Sequence, residues 1–193
     1  MIIGIDASRA VKNQKTGTEY YSENIIFEIS KLDYKNKYIL YSPIKPKSGI
    51  LCDLPSNFSW KIITQSKLWT QVHLSWEMAF GKKPDILFVP SHTIPFIHPK
   101  KTIVTIHDLA FKHFPGLFSN SELNYQNFGL NLAIKNAFHI IAVSEYTKSD
   151  LVKNCNINPN KITVIHHGYN QTLYKPLSKE DVQRDESTFQ SRR

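Results

Sequence analysis

Short runs of apolar and β-branched residues alternate along the chain with longer stretches in which apolar positions recur every three or four residues. The runs at Ile2–Asp6, Tyr38–Tyr41, Trp60–Thr64, Ile86–Val89, Ile103–Ile106, His139–Val143 and Ile162–Ile165 each predict a strand. Thr16-Gly17-Thr18 introduces a helix with Tyr21, Ile25, Ile29 and Leu32 at helical spacing, and Glu19 and Glu23 lie near the positive end of its dipole. A second helix is predicted over Ser66–Phe80, with Leu68, Trp69, Val72, Trp76, Ala79 and Phe80 largely on one side. Ser119 and Glu122 have capping-box spacing ahead of a helix through Leu123, Leu130, Ile134 and Ala137. Ser144 is placed to cap the helix that follows, with Glu145 in its first turn. Pro43–Pro46 and Asn158-Pro159-Asn160 mark loops, and Phe111, Phe114, Pro115 and Phe118 are expected to fold back as a packed lid or shelf. Strands alternating with helices at this pitch predict an α/β three-layer sandwich around a mostly parallel, seven-stranded sheet.

The polar residues that end these runs carry the functional reading. An open parallel sheet binds ligands outside the carboxyl ends of its strands. The run Ile103–Ile106 stops at His107-Asp108, Ile86–Val89 opens into Pro90-Ser91-His92-Thr93, and the last run ends at His166-His167-Gly168. His107 is the leading candidate for chemistry. The plainer alternative, in which His107 hydrogen-bonds a neighbouring loop and Asp108 caps a turn, stands beside it. Gly17, at a loop-to-helix junction, either exposes backbone N–H groups to an anion or only permits a tight turn. Neither a G-x-G-x-x-G fingerprint nor a P-loop is present. Ser144 lacks the glycines of a nucleophile elbow and reads as a cap. Eight histidines occur, but none form an H-x-x-x-H pair, and no metal site is predicted.

Composition narrows the classes. Hydrophobic content of 41% and charged content of 21% over 193 residues suit a folded globular chain. A formal charge of +8 suggests an acidic partner, whether a phosphate-bearing ligand, an anionic membrane surface or nucleic acid. Nucleic-acid readers of the helix-turn-helix or zinc-finger type have no signature here. The two cysteines, Cys52 and Cys155, form no C-x-x-C motif, so a reduced, cytoplasmic setting is expected. No apolar run approaches a membrane span, and the opening is too short for a signal peptide. Trp69 and Trp76, flanked by Lys67, Lys82 and Lys83, read either as a core stripe or as an interfacial helix touching a membrane peripherally. Residues 178–193 mix charges of both signs with a single aromatic, Phe189, and are expected to form a linker or frayed tail after a folded unit over 1–177.

Four segments in order, TGTEYYSENI, TIVTIHDLAFKHFPGLFS, HIIAVSEYTKSDL and KITVIHHGYNQTLYKP, together resemble the N-terminal domain of family 4 glycosyltransferases. The resemblance implies one Rossmann-like half of a GT-B fold, in retaining enzymes that move a mannose- or glucose-type hexose from a nucleotide sugar to a glycan or lipid-linked acceptor in polysaccharide synthesis. No metal or other cofactor is implied beyond the nucleotide sugar as co-substrate. Gly17, with Thr18 beside it, matches the glycine-rich loop that approaches the donor diphosphate. His107 matches the histidine beside the transferred sugar, Asp108 the residue following it, Ser144 and Glu145 the start of the next helix, and Gly168 the crossing to the second domain. His92 is added as a further candidate contact to substrate. Two departures are visible: Glu19 stands where many relatives have a second glycine, and the family's two glutamates eight residues apart do not occur. The donor-binding half is therefore expected to be absent, the piece inactive alone, and a separate donor domain or self-association through the exposed interdomain face is expected. A non-catalytic glycan- or partner-binding module is the alternative.

Overall fold

The computed structural model describes residues 1–47, 49, 51, 53–64, 68–171 and 174–176. Strands β1 (Ile2–Asp6), β2 (Lys37–Ser42), β3 (Phe58–Ile62), β4 (Ile86–Val89), β5 (Thr102–Ile106), β6 (His139–Ala142) and β7 (Ile162–Val164) form one sheet in the order β3-β2-β1-β4-β5-β6-β7. Every pairing between neighbours in that order is parallel. The chain starts in the middle, builds outward to β3, then crosses back to β4 and builds the other way. The topological switch point therefore falls between β1 and β4.

Helix α1 (Gly17–Leu32) covers one face, where Ile26 packs with Ile5, Leu40 and Phe88. Helices α2 (Leu74–Phe80), α4 (Asn120–Asn136) and α5 (Glu145–Cys155) cover the other, where Leu74, Met78, Leu130 and Leu151 meet Leu87, Val89, Val104 and Ile140. Consecutive strand residues such as Leu87 and Phe88 join opposite clusters, so the sheet is dressed on both sides and the three-layer α/β expectation holds. A short α3 (Ala110–His113) and a 3₁₀ turn at Pro115–Leu117 bridge β5 and α4.

Several boundaries and faces differ from the sequence reading. Strand β3 begins two residues early, because Phe58 stacks on Tyr38 at 4.2 Å and the turn before it is tied down by the Asn57 side chain. The lid segment divides: Phe111 is buried and Phe118 packs on the core, but Phe114 and Leu117 face solvent. Leu32, expected on the buried stripe of α1, is exposed, and Ile26 takes the central position.

The largest correction concerns the second helix. A π-helical turn spans Trp69–His73 before α2 begins, and Leu68 ahead of it is left-handed at φ 52°. Wider turns rotate the register, so the residues facing the core are Trp69, Gln71, Leu74, Ser75 and Met78, while Leu68, Val72, Trp76 and Phe80 are exposed. The stripe read as core is mostly surface. Ser66, Lys67, Cys52 and the tail over 178–193 lie outside the described residues.

Candidate functional site

Strand β1 ends at Asp6, which is 1% exposed. Its carboxylate accepts the Ser8 N–H at 3.0 Å and the Thr70 hydroxyl at 3.3 Å, so it ties the loop after β1 to the π turn. Burial raises its pKa, opposed by those hydrogen bonds and by the Arg9 charge. That loop runs to Thr16, after which Gly17 opens α1. A Cβ placed on Gly17 would meet nothing within 4 Å, so the protein's own packing does not require glycine here.

Glu19 closes the loop. Its carboxylate accepts the Thr16 N–H at 3.1 Å and the Thr16 hydroxyl, and pairs with Arg9 at 3.0 Å and Lys12 at 3.2 Å. Burial alone would raise its pKa, but these donors outweigh it and hold it at about 2. At 4% exposure the carboxylate is turned into the loop, leaving the two cations half-exposed beside the start of α1. The glutamate in the second-glycine position thus organises the loop.

His107 follows β5 at the carboxyl edge of the sheet and is partly buried. Its Nε2 lies 3.0 Å from the Pro90 carbonyl. A carbonyl only accepts, so Nε2 carries the proton and Nδ1 of the neutral ring is the acceptor. Burial lowers the His107 pKa, against the Pro90 contact and the charges of Asp108 and Glu19, which raise it. Tyr21 of α1 packs edge-on against this ring at 4.9 Å, and its hydroxyl lies 3.2 Å from Thr105 Oγ1. The segment after β7 completes a three-ring cluster, with His167 5.4 Å from His107 and 4.8 Å from Tyr21. His92, after β4, has a pKa lowered by burial and then by the charges of Arg9 and His107, which places all three in one neighbourhood.

The plainer alternatives for the motif are thus also present. His107 does bond a neighbouring loop, and Asp108 accepts the Ala110 N–H at 2.9 Å at the start of α3. Ser144 caps α5 by accepting the Thr147 N–H at 3.0 Å, and Thr147 Oγ1 donates to the His107 carbonyl at 3.1 Å. Asp108 also borders a cavity of about 220 Å³ lined by His113, Phe114, Tyr146 and Asp150, in which His113 Nε2 lies 2.6 Å from Asp150 Oδ2. Gly17, His92, His107 and Ser144 therefore follow β1, β4, β5 and β6 at the carboxyl end of the sheet, with the Ser144 side chain engaged in capping α5. Asp6 and Arg9 were not singled out from the sequence, and Tyr21 and His167 were read there only as a helix-stripe residue and a strand-end residue, not as partners of His107. Asp6, a carboxylate on the last residue of a central strand, and His167, in the polar end of the last strand, each had a local signal. Among the described residues no group of three or more His, Cys, Asp or Glu could hold a metal ion, and no helix is long and apolar enough to cross a membrane.

A doubly wound parallel sheet with polar and aromatic side chains converging beside its switch point defines an α/β ligand-binding domain of the kind that holds its ligand outside the strand ends. The particular family follows from comparison: the model of Glycosyltransferase Family 4 matches residues 22–173, and the chain belongs to that family. The O-antigen chain mannosyltransferase RfbU of Salmonella typhimurium is 29% identical over 93 residues, which cover 48% of this chain and 25% of that protein. The crystal structure of a glycosyltransferase from Rickettsia africae superposes with a TM-score of 0.49 at 14% identity, over 98% of this chain and 49% of its own. The chain thus spans at most about half the length of these relatives.

Proposed function

We propose that this chain forms the acceptor-side wall of a retaining hexosyltransferase cleft. The observation that carries this reading is the His107 ring, fixed through Nε2 with Nδ1 left as an acceptor, at the carboxyl edge of the sheet beside Tyr21 and His167. A neutral imidazole held this way accepts a hydrogen bond from a sugar hydroxyl and orients the ring being transferred. The amino end of α1 at Gly17, with Arg9 and Lys12 beside it, suits the negative charge of a nucleoside diphosphate sugar. The cavity between Asp108 and Tyr146 suits an acceptor sugar, with Phe114 and Tyr146 exposed as stacking surfaces and His113 and Asp150 as hydrogen-bonding groups.

In the reaction the bond from the sugar C1 to the diphosphate oxygen breaks, and the acceptor oxygen bonds to C1 on the same face. Its proton leaves with the departing diphosphate, without a covalent protein nucleophile. Because the paired glutamates of the donor side are missing from this sequence, the donor-binding half is proposed to come from a further domain or a partner chain. The test supplies UDP- and GDP-sugars and a polyprenyl-linked or oligosaccharide acceptor, with and without a family 4 donor domain. Transfer only with the donor domain, and its loss in His107→Ala, supports the reading. Robust turnover by the 193 residues alone overturns the two-part arrangement, and acceptor binding without transfer in the reconstituted pair favours a binding module.

A further inference from the structure

A cavity of about 200 Å³ opens at the carboxyl ends of β1 and β2, where α1 separates it from His107. Its floor is apolar, formed by the buried side chains of Ala10, Val11 and Leu51. The rim is polar, with Lys12, Asn13 and Lys15 from the loop after β1, Lys47 from the chain after β2, and Glu23 from α1. Buried Ser42 fixes the β2 side: its hydroxyl donates to the Ile44 carbonyl at 2.6 Å and accepts the Ile44 N–H at 3.2 Å, which sets the turn leading towards Lys47. Tyr21 and Glu23 stand two residues apart on α1, about 200° around the helix. Because Tyr21 packs on the His107 ring, Glu23 and the cavity beside it face away from that crevice.

The two connecting segments that wall the cavity contribute cations and no carboxylates. Between Asp6 and Glu19 the charged residues are Arg9, Lys12 and Lys15, and between Asp33 and Asp53 they are Lys35, Lys37, Lys45 and Lys47. The acids that reach the cavity come from α1 and are engaged: Glu23 pairs with Lys15, and Glu19 is shared between Lys12 and Arg9. Three lysines against one glutamate leave the rim with two surplus positive charges, and including Arg9 and Glu19 leaves that surplus unchanged.

We propose that this cavity binds a phosphate monoester of a small hydroxylated molecule, of which a sugar phosphate is the simplest example. A phosphate monoester carries about −1.5 to −2 charge at pH 7, which matches the surplus on the rim. Ammonium groups bind phosphate as point charges, and Lys12, Lys15 and Lys47 supply them from two sides. The Glu23 carboxylate and the Asn13 amide are left to take the hydroxyls of the attached carbon skeleton. The volume lies below the roughly 300 Å³ at which sites for drug-sized ligands begin, so one phosphorylated unit fills it. Only Lys12 is shared with the diphosphate contact proposed for the cleft, and the inference does not depend on the transferase reading.

The test is isothermal titration calorimetry of the full chain at pH 7 with glucose 6-phosphate, inorganic phosphate and glucose as probes, at low and moderate salt. Glucose 6-phosphate is expected to bind, inorganic phosphate to bind about tenfold more weakly, and glucose not to bind. Lys15→Ala and Lys47→Ala are each expected to weaken the ester about tenfold. Lys82→Ala, the same loss of charge ahead of β4 at the other end of the sheet, is expected to change nothing. Glu23→Gln removes the negative charge from the rim, so inorganic phosphate should bind about threefold more tightly while the advantage of the ester shrinks. Circular dichroism establishes that each variant is folded, and the two lysine variants are read separately so that either alone decides. No binding of glucose 6-phosphate at millimolar concentration overturns the proposal. So does inorganic phosphate binding as tightly as the ester, which would be attraction of a bare ion, and so does a Lys82→Ala effect as large as that of Lys15→Ala or Lys47→Ala, which would be net charge without a site.

Discussion

His107 shows how much one strand-end residue can reveal and where that stops. Its position was legible because a β-branched run ended abruptly in a titratable pair, but its partners were not: Tyr21 comes from α1 and His167 from the segment after β7, and only the fold brings them together. With Nε2 committed to Pro90, protonation has to occur at Nδ1. In a ¹⁵N-resolved NMR titration His107 is expected to titrate below its ordinary value of 6.5, with the Nε2–H tautomer dominant above that pH. Titration at or above 6.5, or an Nδ1–H tautomer, would contradict the geometry. Gly17 makes a second residue-level case. Because a Cβ there meets nothing within 4 Å and the site is the first residue of α1, Gly17→Ala is expected to leave stability unchanged or raise it by up to about 1 kcal/mol. At this size that is at most about 2–4 °C in melting temperature. A clear loss on thermal denaturation would mean the glycine serves the turn itself, the alternative left open in the sequence. If stability holds while binding of a nucleoside diphosphate sugar by the reconstituted pair falls, the open space belongs to the ligand.

Among the elements, the helix starts were the most readable features and the helix faces the least. Thr16 with Glu19, and Ser119 with Glu122, signal helix starts through contacts made within three residues, so their chemistry is visible in a short window. Glu19 also collects Arg9 and Lys12, so Glu19→Ala is expected to cost about 2 kcal/mol, from the lost cap and from leaving two cations without their partner. Chemical denaturation at pH 7 measures it. The face of α2 was misread because helical periodicity assumes uniform turns, and the π turn at Trp69–His73 carries no local mark in the sequence. Packing between elements is equally hidden. Gly129 lets α4 approach the loop after β4 so closely that an added Cβ would lie 2.5 Å from Thr93 Oγ1. Gly129→Ala is therefore expected to destabilise by about 1–3 kcal/mol despite alanine's better helix propensity. Adding Thr93→Ala removes the clashing oxygen and should recover most of that loss, which a double-mutant cycle on denaturation midpoints would show as a coupling above about 0.5 kcal/mol. Additive effects would place the strain elsewhere.

For the molecule as a whole, strand count, parallel direction and class were readable because they rest on alternation and loop chemistry, whereas strand order and the arrival of the last segment at the cleft depend on crossovers that no short window contains. That arrival has a measurable consequence, because it helps to gather lowered-pKa histidines at one end of the sheet. Burial lowers the pKa of His92, His107 and His167, and the charge of His107 adds to the effect on the other two. The folded protein thus binds fewer protons than the unfolded chain as pH falls through 6.5, so stability is full above that value and declines below it until the folded histidines also protonate. Asp6, whose pKa burial raises, opposes the trend, since the folded state takes up its proton before the unfolded chain does. Glu19 adds a second, separate loss as pH drops from 4.5 towards about 2. Thermal midpoints are accordingly expected to fall between pH 7.5 and 5.5, and again below 4.5. Replacing His92 and His107 together by glutamine should flatten the first step and leave the second in place, whereas Glu19→Gln should do the reverse. If the double histidine variant keeps the full slope between pH 7.5 and 5.5, His92 and His107 are not the groups that burial holds neutral, and the neutral His107 ring invoked for sugar binding loses that support.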